Sequence, residues 1–483
     1  MSSKIKIDIE KRYYCEVLNV TDPIAGTFMI GEQGIIASLV RFNTSHPYEI
    51  GKYLYLRTEE NWYPSMFNLV PLSHKKIGGR GKESFIQNTL SNITVIGRDS
   101  WAYNDKIHRL TFRIPGLDSL FQISPHFKKV MDNASTDKEI DLTVFQIKTT
   151  IASIKVWLQP SISIPSSQST KVVPLFKIEF TEGQSLENFQ YFMTCILRFF
   201  SILSGKNLHA NELVVSRYTE EQFTEMRETR FPMHVHHPAY EHFIFRHADT
   251  VTKKLDESID SFKTLVSLFS TEDRVFLEES LTTWIANNES WAPAFQMMVE
   301  TLSLQGEVSA SRLLSATRCL EEIPIAKSQK NISSDHVTRL GEIVSIEAKK
   351  LNYNSDIAGR FKGAISRISS ESNRERLTRL SKEIKSVFGE AVIDEYIVDW
   401  VAEALSMRGR VAHGAFTEIN TNFDMFLRAL YAIECFNLLL IAKDLPLGLK
   451  HQGRIIYHPL VEQYRSCKIQ ESPKTFKDQL NFN

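Results

Sequence analysis

The stretch Phe180–Lys206, "FTEGQSLENFQYFMTCILRFFSILSGK", contains a change of hydrophobic period. Upstream of it, apolar residues recur at every second position. Within it, Phe189, Phe192, Met193, Ile196, Phe199, Phe200 and Leu203 recur at intervals of three and four, as one face of an α-helix requires. Ser185 suits the start of that helix and Gly205 its end. The spacing predicts a core helix at about 185–205 packed on a sheet, in preference to a cofactor-binding box.

Outward from this stretch the two halves of the chain differ. From about Ile5 to Phe180, segments such as "KIKIDIE", "KYLYLR", "HRLTFRI" and "DLTVFQIKTTIASIKVWL" alternate apolar and polar residues and are rich in β-branched and aromatic types, so they read as strands of one sheet or of two in succession. The Ser-rich Ser161–Thr170 reads as a loop inside this part. From about Tyr240 onward the pattern is helical throughout, in segments including "RVFLEESLTTWIANN", "PAFQMMVETLSLQG", "SASRLLSATRCLEEIP", "RERLTRLSKEIKSVFG" and "NFDMFLRALYAIECFNLLLIAKDLP". The expected fold is α+β: a β-rich N-terminal domain over 1–235, then an all-α helical bundle over 236–483, divided within "RETRFPMHVHHPAY" (Arg227–Tyr240).

Composition narrows the function classes. The 483 residues carry 57 basic and 57 acidic side chains, so no chain-wide field selects a nucleic acid or a membrane, and any such surface must be local. Five dispersed cysteines without a Cys-x-x-Cys pair argue against a disulfide framework or a thiolate metal site, and point to reduced, buried residues of a cytoplasmic protein. The N-terminus lacks the apolar core of a signal peptide. Ala429–Ala442, the most apolar long run, is short for a bilayer span and contains Glu434, so no membrane partner is expected.

Several constellations invite chemistry. His234, His236, His237, Glu241, His242 and His247 form a metal-ligand-like cluster, but Pro238 interrupts it and a polar linker with a helix start explains it more simply; no metal or cofactor is expected. "GGRGKES" (Gly78–Ser84) imitates a phosphate loop and fails it at Glu83 and Lys76, leaving a hairpin loop. Between Val337 and Lys382 stand ten basic and five acidic residues. Within that run Lys349, Lys350, Arg360, Lys362 and Arg367 are candidate RNA phosphate contacts, against the plainer reading of a solvated helix face.

The remaining motif is Met407–Gly414, "MRGRVAHG". Five residues on an unbroken helix turn through about 140° beyond one full turn, so Arg408 and His413 converge only if the helix bends or ends, which Gly409 is positioned to allow. An imidazole titrating near neutrality and a fixed guanidinium suffice to cleave RNA through its own 2′-hydroxyl, without metal or protein nucleophile. The same Arg-x4-His spacing recurs at Arg41 and His46, so spacing alone decides nothing, and a pair that merely caps a helix fits as well.

In its context, "MRGRVAHG" ending one helix before another long amphipathic helix resembles the Arg-x4-6-His motif of HEPN domains. More specifically, "GTF" (Gly26–Phe28), "RLTFRIPGLDSLF" (Arg109–Phe121), Phe180–Lys206 and "SRLLSATRCLEEIP" resemble the ApeA family of anti-phage defence proteins. The resemblance implies a β-rich sensing or regulatory domain followed by a HEPN endoribonuclease with Arg408 and His413 as the catalytic pair, acting on RNA in the cytoplasm as at least a homodimer, and answering to a phage-derived trigger or inhibitor in abortive infection. Gly409 departs from the polar residue that often follows the arginine in such nucleases. The rival expectation is a non-catalytic HEPN module that binds a nucleotide or a partner. For a dimer, the apolar helices flanking the motif, Asp394–Met407 and Asn422–Ala442, are expected to supply the interface in addition to the intramolecular core.

Overall fold

A computed structural model describes residues 10–20, 24–31, 34–42, 51–78, 84–117, 120, 143–162, 170–230, 241–246, 271–330, 332–368, 370–412, 422–444, 453–467, 469 and 471–480. The chain forms two compact units, one of residues 1–197 and 208–259, the other of 198–207 and 260–483.

The first unit is built on strands β1 (Arg12–Val17), β2 (Ala25–Gly31), β3 (Gly34–Arg41), β4 (Tyr53–Thr58), β5 (Tyr63–Ile77), β6 (Ser84–Gly97), β7 (Ile107–Arg113), β8 (Thr143–Lys148), β9 (Ala152–Ile162), β10 (Thr170–Gln184), β11 (Asn211–Ser216) and β12 (His242–Arg246). They hydrogen-bond in the order β3-β2-β1-β4-β5-β6-β12-β11-β7-β10-β9-β8, and every pairing is antiparallel. β6 carries the architecture. One edge pairs with β5 along its whole length, while the other is shared: Phe85–Ser91 close on β3 and Ile93–Ile96 pair with β12.

The β3–β6 pairing turns the first six strands into a closed barrel, and the remaining six continue as an open sheet. Closure removes two edges that would otherwise present unpaired backbone. Alternation fills the barrel: β1 reads exposed–buried in strict turn, placing Tyr13, Cys15 and Val17 inside with Phe28, Leu54 and Met66. Gly26 permits a close approach of two backbones, since a Cβ there would lie 2.2 Å from the Ser38 carbonyl oxygen on β3.

The loop reading of Gly78–Ser84 is consistent with its flanks, because β5 and β6 pair up to Ile77 opposite Ser84; Gly79–Glu83 lie outside the described residues.

Helix α1 (Asn188–Ser204) follows the period switch. Its first half packs on the sheet, with Phe192 edge-on to Phe180, whereas Phe199 meets Trp284 in the second unit. A short α2 (Glu220–Arg230) precedes β12. Helical periodicity from Tyr240 was expected, yet His242–Arg246 form a strand between β6 and β11, so the sheet keeps residues beyond the 235/236 division. Five residues are too few for local period to distinguish strand from helix start, and the two open edges that β12 fills decide the matter.

The second unit is helical: α3 (Thr271–Ser303), α4 (Ala310–Glu322), α5 (Ser334–Lys350), α6 (Ser355–Ile368), α7 (Asn373–Phe388), α8 (Ile397–Ala412), α9 (Phe423–Asp444), α10 (Pro459–Ser466) and α11 (Pro473–Leu480). α3 runs unbroken through Pro293, where two helices were expected. Proline removes one backbone bond, but burial of Trp291, Ala294 and Phe295 on either side holds the helix together. α7 starts on a capping box between Ser372 and Glu375. α9 is the core: it is long and apolar enough to cross a membrane, yet 83% of its apolar window is buried inside this unit. The five cysteines are free and four of them are buried.

Candidate functional site

The Arg-x4-His motif begins on α8. Ile397, Trp400, Val401, Ala404 and Met407 form the buried face of that helix, which packs on α9 and α4. Gly409 does not break it; α8 continues to Ala412. His413 lies outside the described residues.

Arg408 does not point into the core. Its side chain is 36% exposed and ion-pairs with Glu321, itself 43% exposed, at the end of α4. The carboxylate meets the guanidinium through one contact, at Nη1. Sequence reasoning passed over Glu321. A signal existed: "CLEEIP" puts two acidic residues in the last turn of a helix, where the macrodipole disfavours them and a cationic partner is wanted.

α4 is itself fixed from below. Arg312 donates to Glu434 on α9 and to the carbonyls of Gln305 and Glu307, all within 3.0 Å, and Asn437 donates to the Ala316 carbonyl at 2.7 Å. Burial pushes the Glu434 carboxyl up to about 7, against the pull of Arg312. The carboxylate that meets Arg408 thus stands on a helix anchored at two points.

Of the other candidates, Lys349, Lys350, Arg360 and Lys362 are all exposed on the hairpin of α5 and α6, and Lys350 pairs with Glu347 at 2.7 Å. Arg367 belongs to α6, with its side chain outside the described residues. Two neighbours in the same charge run serve the fold: Arg374 pairs with Asp399, and Arg379 with Glu371 and Glu383, which holds the Glu371 carboxyl below the usual range.

Two residues of the histidine cluster, Glu241 and His242, are described. Glu241 pairs with Arg109, and His242 with Asp99 at 2.7 Å; His234, His236, His237 and His247 lie outside the described residues. Among the described residues no group of three or more His, Cys, Asp or Glu gathers as a metal site. A cleft lined by Thr283, Trp284, Asn287, Trp291, Phe295, Ile441 and Asp444 contains none of the candidate residues.

The helices expected to supply both core and a dimer interface do pack the core. α9 is buried from Leu430 to Ala442 except at Tyr431, and on α8 Ile397, Trp400, Val401 and Met407 are buried while Val398 and Leu405 are half-buried. The exposed apolar side chains of this unit include Leu340, Ile343, Ile346, Leu351, Tyr353 and Phe361 on the α5–α6 hairpin.

Comparison with known proteins places the first unit. The family model described as ApeA N-terminal domain 1 matches residues 22–277, just over half of the chain. No curated protein and no solved structure matches.

Proposed function

The chain belongs to the ApeA family through its N-terminal domain, and from that premise we propose that it is an anti-phage defence protein whose helical unit is a metal-independent HEPN endoribonuclease. The observation that carries the reading is Arg408: the first residue of the Arg-x4-His motif sits partly exposed near the end of α8, holding a carboxylate where substrate phosphate would bind.

In this reading His413 takes the proton of the RNA 2′-hydroxyl, the 2′-oxygen attacks the adjacent phosphorus, and the bond to the 5′-oxygen breaks as that oxygen gains a proton. Arg408 stabilises charge on the phosphate oxygens. Lys349, Lys350, Arg360, Lys362 and Arg367 supply phosphate contacts. One Arg and one His are few groups for these tasks, so two copies pairing their motifs across a two-fold axis would complete the site. The β-rich unit senses or restrains, a phage-derived trigger releases the nuclease, and cutting RNA in the cytoplasm halts growth.

The test is to incubate the purified chain with total RNA and EDTA and to map the ends. Products with a 2′,3′-cyclic phosphate and a 5′-hydroxyl, lost in His413→Ala, are expected; 5′-phosphate products would overturn the mechanism. Toxicity that persists in a folded His413→Ala chain would instead favour a non-catalytic module binding a nucleotide or a partner.

A further inference from the structure

The α5–α6 hairpin has the wrong surface for a purely structural element. Both helices are amphipathic, yet the buried positions of α5 are only Gly341 and Ala348, small residues that let α6 approach. Lys362 of α6 lays its stem there, with its Cγ 3.4 Å from where a Cβ on Gly341 would stand.

The turn between the helices is rigidly made. Leu351, Asn352 and Tyr353 donate their backbone N–H groups to the carbonyls of Glu347, Lys349 and Ala348, Asn352 adopts φ +60°, and the Asn354 side chain caps the N–H of Ile357. This turn holds Tyr353 beside Phe361, with ring centroids 6.1 Å apart and planes inclined at 59°. Both rings remain open, 46% and 44% exposed. Lys349, Lys350, Arg360 and Lys362 flank them in sequence, with Asp356 the single acidic residue from 349 to 362.

We propose that the tip of this hairpin binds single-stranded RNA, with bases stacking on Tyr353 and Phe361 while the four cations hold the phosphates. Exposed aromatic faces among cations are what an unpaired strand requires, since every base has a π-face whatever its sequence, whereas a duplex keeps its bases stacked on one another. Charge complementarity selects RNA over an apolar protein partner: packing another protein on these rings would bring Lys349, Arg360 and Lys362 to the interface, where charges need partners to be desolvated. The inference rests on the reading of the helical unit as an RNA-cutting domain and names where the strand lies.

The test measures binding by the full-length chain, in EDTA, of a fluorescent 20-nucleotide single-stranded RNA and of the same RNA as a duplex. The single strand is expected to bind more tightly. Tyr353→Ala with Phe361→Ala should weaken single-strand binding by at least about tenfold and leave its salt dependence unchanged. Lys349→Gln with Lys362→Gln should reduce the slope of log affinity against log salt by about 0.7 per lost contact. Tyr353→Trp should retain binding. Ring variants that bind like wild type, or a duplex bound as tightly as the strand, would overturn the proposal. So would ring variants that change the sedimenting species while RNA affinity holds, which would make this face a protein interface. End mapping is read separately: loss of binding in ring variants of a chain that makes no cyclic-phosphate ends would sink the nuclease reading and leave this one standing.

Discussion

The Arg312 guanidinium and the Glu434 carboxylate meet through two hydrogen bonds, Nε to Oε1 at 2.6 Å and Nη2 to Oε2 at 2.8 Å, with both side chains at 1% exposure or less. The pair joins α4 to α9 across 122 residues of sequence, and it fixes the helix that presents Glu321 to Arg408.

Removing one partner strands a buried charge. Arg312→Ala is expected to destabilise the helical unit by about 3–5 kcal/mol, and Arg312→Met with Glu434→Leu by less than that single change. Urea unfolding followed by circular dichroism measures both. The carboxyl of Glu434 is raised in the folded state, so its contribution to stability is complete below its unfolded value and is lost as pH rises through about 7. The melting-temperature gap between wild type and Glu434→Gln should therefore narrow from pH 5 to pH 8.

His458 carries the opposite sign. It is fully buried, with Nε2 bonded to the Ile202 carbonyl at 2.9 Å and Nδ1 accepting from the Leu460 N–H, and burial pushes its pKa down to about 4. A depressed folded value means stability present above the ordinary histidine pKa and lost as pH falls from about 6.5 to about 4, amounting to about 3 kcal/mol. Melting temperatures at pH 7 and pH 4.5 should differ more for wild type than for His458→Gln, and equal differences would remove this residue from the acid response.

Gly409 stands inside a continuous helix, exposed, and a Cβ there would meet open space. Gly409→Ala should raise the stability of the helical unit by about 0.5–1 kcal/mol, read as a higher urea midpoint. A lower midpoint would restore the hinge expected from sequence.

Glu321 competes with phosphate for Arg408. Because the pair is partly exposed it is worth at most about 1 kcal/mol, so Glu321→Gln should tighten RNA binding by no more than about fivefold. Weaker binding, measured by fluorescence anisotropy, would show that Glu321 aims the guanidinium instead of blocking it.

A paired site makes activity non-additive. Mixing wild-type with His413→Ala chains should give RNA cleavage that departs from simple dilution. A monomer cleaving at full rate at every protein concentration would refute shared sites.

Local pattern carried much of this molecule. The alternation before Phe180 marked strands, and the shift to period 3.6 within Phe180–Lys206 marked α1, because the residues that set each period lie within a turn or two of one another. What tertiary structure decided lies at long range. The β3–β6 closure, the insertion of β12 between β6 and β11, the continuity of α3 through Pro293, and the partners of Arg408 and Glu434 depend on segments tens to hundreds of residues apart. Glu434 shows the division plainly. From sequence it was a charge interrupting an apolar run and an argument against a bilayer; folding places Arg312 against it, because a carboxylate that far inside α9 is stable only where a cation is buried with it.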